Sequence, residues 1–125
     1  MPARIMVVDD ERDLVFAAKL FLETEGHQVL TAFDGQEALT ILEAKESLPD
    51  LIILDVYMPR MSGWDVLRMI RALERTREVP VIMLTAATDP VDQARGWDLG
   101  VDWYQTKPFN MADLYTVIQR VLAVC

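Results

Sequence analysis

Cysteine is nearly absent from this chain, with one thiol, Cys125, in 125 residues. A single cysteine makes neither an internal disulfide nor a thiolate metal cage. Histidine is as scarce: His27 stands alone, read as an ordinary turn residue, and zinc is not expected without a His/Cys cluster. Basic residues are in the minority, 12 against 20 acidic ones, for a formal net charge of −8. That balance opposes direct binding to nucleic acid, which relies on lysine and arginine to displace counterions. It suits a chain that binds a cation or a basic partner surface. No apolar run approaches the roughly 20 residues that cross a bilayer, so no membrane span is expected. The opening residues, Met1-Pro2-Ala3-Arg4, lack the apolar stretch and cleavage site of a secretory signal, and a cytoplasmic location is expected. No GxxxxGK[ST] segment occurs, which excludes a P-loop nucleotidase. Repeats, linkers and low-complexity tracts are missing too, and the length suits one domain over residues 1–125.

What is present is an ordinary globular balance, 52% hydrophobic and 26% charged. Its apolar residues follow two periods. Continuous β-branched runs occur at Ile5-Met6-Val7-Val8, Leu51-Ile52-Ile53-Leu54 and Val81-Ile82-Met83-Leu84. Such runs suit strands covered on both faces, as in a parallel sheet between helices. Weaker strand signals lie at residues 28–31 and 101–104. Amphipathic segments alternate with the strands. Residues 13–25 carry Leu14, Ala18, Phe21 and Leu22 on one stripe, stopped by Gly26. Residues 35–45 and 62–74 carry Ala38, Leu39 and Leu42, then Val66, Leu67 and Ile70. Asp89-Pro90 opens a fourth helix to about Leu99. Asn110 caps a fifth, with Leu114, Val117, Ile118, Val121 and Leu122 at helical spacing. A strand–helix pair repeated five times predicts a doubly wound α/β fold. The expected form is flavodoxin-like, (βα)5, a five-stranded parallel sheet in the order 2-1-3-4-5 with helices on both faces.

In such sheets ligands bind beyond the carboxyl ends of the strands. Asp9, Asp10 and Glu11 follow the first strand. The third ends in Asp55, the fourth in Thr85, and Lys107-Pro108 follows the fifth. Taken singly, an Asp-Asp pair is commonly a solvated turn, a threonine a satisfied strand-end hydroxyl, and a lysine a surface charge. Their convergence from four strands favours a shared site. Clustered carboxylates repel one another, and a hard divalent cation relieves that repulsion. Mg²⁺ takes oxygen ligands and is commonly held by one or two carboxylates plus phosphate. Lys107 supplies positive charge and Thr85 a hydrogen bond, which suits a phosphoryl group. A carboxylate can serve as the nucleophile that forms an aspartyl phosphate.

Four segments, Val7-Val8-Asp9-Asp10-Glu11, Leu54-Asp55-Val56-Tyr57-Met58-Pro59-Arg60-Met61-Ser62-Gly63, Leu84-Thr85-Ala86-Ala87 and Tyr104-Gln105-Thr106-Lys107-Pro108-Phe109, resemble the motifs of response-regulator receiver domains in order and spacing. The resemblance spans essentially the whole chain. It implies that Asp55 is the phosphoacceptor, that Asp10 and Asp55 touch Mg²⁺, that Asp9 acts through a water, and that the Tyr57 carbonyl is a further ligand. It implies that Lys107 and Thr85 bind phosphoryl oxygens, that the bond to Pro108 is cis, and that Gly63 serves a tight turn. Thr85 and Tyr104 would form the switch, altering the face of the fourth helix, fifth strand and fifth helix. A sensor histidine kinase or histidine phosphotransfer protein would donate the phosphoryl group. A downstream effector, a fused output domain or a second copy of the chain would read the switched face. The chain would be either a stand-alone regulator or the receiver of a longer protein. It would not be an enzyme on a separate substrate, catalysing only its own phosphorylation and dephosphorylation.

Three positions depart from the family pattern. Tyr57 is bulky and is expected to slow hydrolytic water. Trp103 replaces a common polar residue, and Gly96-Trp97 a small aliphatic pair. Trp97 and Trp103 are candidates for an apolar partner face; the alternative is partly buried filler. Trp64 is read as buried on the third helix or near the site mouth. Competing functions fit less well. A haloacid-dehalogenase-like phosphohydrolase shares the Asp, Mg²⁺, Thr and Lys chemistry but wants a second Asp where Tyr57 stands. A flavin carrier would find its phosphate repelled by Asp9, Asp10 and Glu11. A binding module working without phosphorylation would have no need of the intact set.

Overall fold

The computed structural model describes residues 2–44, 46, 48–85 and 100–124. Its strands are β1 (Arg4–Val8), β2 (Gln28–Ala32), β3 (Leu51–Asp55), β4 (Val81–Thr85) and β5 (Trp103–Thr106). The helices among the described residues are α1 (Arg12–Thr24), α2 (Gly35–Glu43), α3 (Gly63–Ala72) and α4 (Met111–Val124). The strands form one sheet in the order β2-β1-β3-β4-β5, and every pairing is parallel. This is the doubly wound order expected from the apolar runs. The helix expected over residues 89–99, with Gly96 and Trp97, lies outside the described residues.

Period-two alternation divides the strand residues between two cores. Met6, Val8, Ile52, Leu54, Val81 and Met83 meet α2 and α3 on one face. Ile5, Val7, Leu51, Ile53, Ile82 and Leu84 meet α1 and α4 on the other. β3 and β4 are buried throughout, which explains why their sequences read as unbroken apolar runs. The edge strands β2 and β5 are only partly covered, and their signals are correspondingly faint.

Local chemistry stops α1 and starts α2, α3 and α4 where the sequence indicates, although α3 ends at Ala72, two residues before its expected limit. Gly26 takes φ +93 beyond α1. The Asp34 carboxylate accepts from the Glu37 amide at 2.8 Å to start α2. Ser62 and Asp65 form a reciprocal capping box on α3. Asn110 Oδ1 accepts from the Asp113 amide at 2.8 Å and opens α4.

One element is displaced. The fifth strand was expected at residues 101–104 and runs instead from Trp103 to Thr106. Val101, the apolar anchor of that expectation, is buried in the core ahead of the strand. Gly100 turns the chain there with φ +81, and Arg71 holds its carbonyl at 2.6 Å. The Asp102 carboxylate then accepts from the Val81 amide at 2.7 Å. The pairing that follows is an edge strand held by backbone hydrogen bonds, which leaves no strong apolar signature in sequence. α2 also stops two residues early, at Glu43. Arg75, from the connection after α3, donates to the carbonyls of Leu42 at 2.7 Å and of Glu43 and Ala44 at 3.3 Å, satisfying the helix end from outside.

His27, expected to be a plain turn residue, joins two distant parts of the chain. Its Nδ1 accepts from the Ala3 amide at 3.0 Å, and its Nε2 lies 2.8 Å from the Tyr115 hydroxyl. No described helix is long and apolar enough to cross a membrane.

Candidate functional site

The carboxyl ends of β1, β3, β4 and the segment after β5 converge. Asp9 leaves β1 with its amide bonded to the Ala32 carbonyl at 3.2 Å, and its Oδ1 accepts from the Glu11 amide at 2.9 Å. Asp55 ends β3, and Thr85 ends β4 beside it. Lys107 is anchored by its amide, 2.7 Å from the Thr85 carbonyl, and the Lys107–Pro108 peptide is cis. Asp9 is 0% exposed, Asp55 3% and Thr85 2%, whereas Asp10 is exposed.

Gly63 explains how the end of β3 and the start of α3 approach so closely. Its amide donates to the Val56 carbonyl at 2.8 Å. A Cβ at this position would collide with the Asp55 carbonyl oxygen and stand 2.9 Å from Val56 Cα. The tight turn read from sequence is therefore a backbone-on-backbone contact that only glycine permits.

The electrostatics are set by one ammonium among four carboxylates. Lys107 Nζ lies 2.9 Å from Asp9 Oδ2, 2.8 Å from Glu11 Oε1 and 3.4 Å from Asp55 Oδ1. Burial alone would lower the lysine pKa, but pairing with Asp9 and Glu11 and the charge of Asp55 outweigh it and raise it. Asp55 is pushed up from 3.8 to about 7, first by burial and then by the charge of Asp9, with Lys107 opposing both and Asp10 adding a smaller push. Asp9 Oδ2 is an ion-pair partner of the Lys107 ammonium at 2.9 Å and is otherwise a buried oxygen with no hydrogen-bond partner among the described residues.

Asp9, Asp10 and Asp55 each bring a carboxylate oxygen within 4.8 Å of the others. That donor set is all oxygen. It includes the orphaned oxygen of Asp9 and the carboxyl group of Asp55, which ionises with difficulty. It fits a hard divalent cation such as Mg²⁺ and not a soft one.

The remaining sequence candidates separate. Tyr57 lies on the loop after β3 and is exposed. Tyr104, on β5, is half-buried against the α2–α3 core, and its ring meets Trp64 edge-on at 6.4 Å. Trp64 is buried, while Trp103 is 43% exposed. Trp97 lies outside the described residues. The close contact of Glu11 with Lys107 was not foreseen, because it joins residues 96 positions apart.

Comparison with known proteins points one way. The response regulator receiver domain family matches residues 5–119. The transcriptional regulatory protein CpxR of Escherichia coli (strain K12) is 44% identical over 119 residues, 95% of this chain and 49% of CpxR. The alkaline phosphatase synthesis transcriptional regulatory protein PhoP of Bacillus subtilis (strain 168) is 38% identical over 122 residues, 98% of this chain and 49% of that protein. This chain thus spans about half the length of those relatives. The structure of the Vibrio cholerae chemotaxis protein CheY4 superposes with a TM-score of 0.89 at 34% identity, covering 97% of this chain and 99% of that one. The chain belongs to the response regulator receiver domains of two-component signalling.

Proposed function

We propose that the chain is a phosphorylation-driven switch in which Asp55 accepts a phosphoryl group from a phosphohistidine of a sensor kinase or histidine phosphotransfer protein. The observation that carries this is a buried aspartate at a strand end, flanked by a carboxylate pair and 3.4 Å from a lysine ammonium. An Asp55 carboxylate oxygen attacks phosphorus. The new O–P bond forms as the P–N bond breaks, and the bonding pair leaves with the donor imidazole. Hydrolysis reverses the state: water attacks phosphorus and releases inorganic phosphate and Asp55.

Asp10, Asp55 and the Tyr57 backbone carbonyl would hold Mg²⁺, with Asp9 supporting the ion from beside them. When bound, the ion neutralises charge on the transferring oxygens and favours the ionised form of Asp55. Lys107 takes one phosphoryl oxygen and Thr85 another. Tyr104 responds to the movement of Thr85, shifting a two-state equilibrium at the face of β5, α4 and the helix expected over residues 89–99, which lies outside the described residues. Exposed Trp103 lies on that face. The relatives CpxR and PhoP are about twice as long, so the reader of this face is a fused output domain, a separate effector or a second copy of the chain.

Incubation with acetyl phosphate and Mg²⁺ tests the chemistry. The expected result is a one-phosphoryl gain in intact mass, abolished by Asp55→Asn or by chelator. No gain from acetyl phosphate or from a panel of histidine kinases would leave a binding module that works without phosphorylation. Tyr57→Asn is expected to shorten the lifetime of the phosphorylated form several-fold by admitting water. An unchanged decay rate after donor removal would take Tyr57 out of the account.

A further inference from the structure

Lys107 makes its best-formed hydrogen bond with Glu11, not with Asp55. Nζ donates to Glu11 Oε1 at 2.8 Å. Asp55 Oδ1 stands off at 3.4 Å, and Asp9 Oδ2 meets the ammonium at 2.9 Å as an ion pair without a geometric hydrogen bond. Glu11 is built to make this contact. It precedes α1 in an extended conformation, φ −81 and ψ 100. Its amide is tied to Asp9 Oδ1 at 2.9 Å, and its carbonyl accepts from the Val15 amide at 3.1 Å. Short polar side chains at this position, unlike the longer glutamate, commonly turn back onto the free amides of the helix. Glu11 makes no capping bond and reaches across to the lysine. The lysine side chain is 15% exposed and that of Glu11 61%, so one end of the pair is confined and the other can swing into solvent.

We propose that Glu11 is a positioning residue that holds the Lys107 ammonium off Asp55 in the unphosphorylated protein and yields it to the phosphoryl group. The inference rests on Asp55 being the phosphoacceptor. A solvent-exposed ion pair is weak, so release is easy. A phosphoryl group offers several strong acceptor oxygens and more charge than a carboxylate, so it captures the lysine once it arrives. Glu11 thereby withholds the lysine until a donor is engaged.

Initial rates of phosphorylation by acetyl phosphate at saturating Mg²⁺ test this in the wild type, Glu11→Gln and Glu11→Asp, at low and high salt. Glutamine keeps the size and removes the charge; aspartate keeps the charge but falls a methylene short of the lysine. Both variants are expected to react about two- to fivefold faster than wild type at low salt, the range set by the strength of an exposed pair. The gain is expected to shrink at high salt. Glu11→Asp reacting like wild type while Glu11→Gln is faster would mean simple repulsion of the anionic donor and would overturn the positioning role. Equal rates in all three would overturn it while leaving Asp55 as the acceptor. A wild type that takes up no phosphoryl group from acetyl phosphate or a kinase would overturn the acceptor reading and this inference with it.

Discussion

Asp55→Asn is expected to make the metal-free protein more stable by about 2–4 kcal/mol at pH 8, and by less than about 1 kcal/mol at pH 4. The cause is the raised proton affinity of Asp55, from 3.8 to about 7, which comes first from burial and next from the charge of Asp9. Below about pH 3 folded and unfolded chains both hold the proton, and the carboxyl group is neutral in each. Between about pH 4 and 7 the unfolded chain ionises and the folded one resists, so stability falls as pH rises. Above about pH 7 the whole penalty is present. A displacement of that size corresponds to about 4 kcal/mol as an upper limit. The amide of the Asp55→Asn variant removes this penalty while retaining the shape of the side chain. Urea unfolding in chelator at pH 4, 6 and 8 reads the difference between the two proteins directly. Equal stabilities at pH 8 would remove the claim that this aspartate is held at a cost. Mg²⁺ should narrow the gap, since it stabilises the wild type by binding the folded form and loses a ligand in the variant.

Gly63→Ala is expected to cost about 3 kcal/mol or more. The new methyl would meet the Asp55 carbonyl oxygen, Val56 Cα at 2.9 Å and the Asp55 carbonyl carbon at 3.0 Å. All three are backbone atoms, so no rotamer change relieves the contact. α3 must move away from β3, and Asp55 must move with its carbonyl. Phosphorylation should therefore slow even where the variant remains folded. Gly26→Ala provides the comparison. Gly26 has φ +93 but open space around it, so only the backbone conformation is penalised, by about 1–2 kcal/mol. Denaturant midpoints for the two variants measure the difference; a Gly63→Ala protein as stable as Gly26→Ala would mean that the close approach yields easily.

Asp55 was identifiable in the sequence because a buried apolar run, Leu51 to Leu54, ends on it, and strand ends carry the chemistry in doubly wound sheets. Its proton affinity was not identifiable. That quantity depends on how deeply the strand end is covered and on the distances to Asp9 and Lys107, which follow from packing. Gly63 was visible as a turn residue, but the atoms its Cβ would strike were not.

The period of the central strands and of the four described helices, the parallel order of the sheet and the residues at its carboxyl edge were readable along the chain. They were readable because the central strands are covered on both faces, and double coverage writes itself as unbroken apolar runs. The sheet edge and the helix ends were settled by three-dimensional packing. β5 begins at Trp103 because Arg71 and Asp102 turn the chain before it. α2 ends at Glu43 under the guanidinium of Arg75. Lys107 leans toward Glu11 more closely than toward Asp55. Each of these is a polar contact between residues far apart in the chain. Hydrophobic periodicity is a local property, whereas a charged side chain's partner depends on which elements the fold brings within about 3 Å of it.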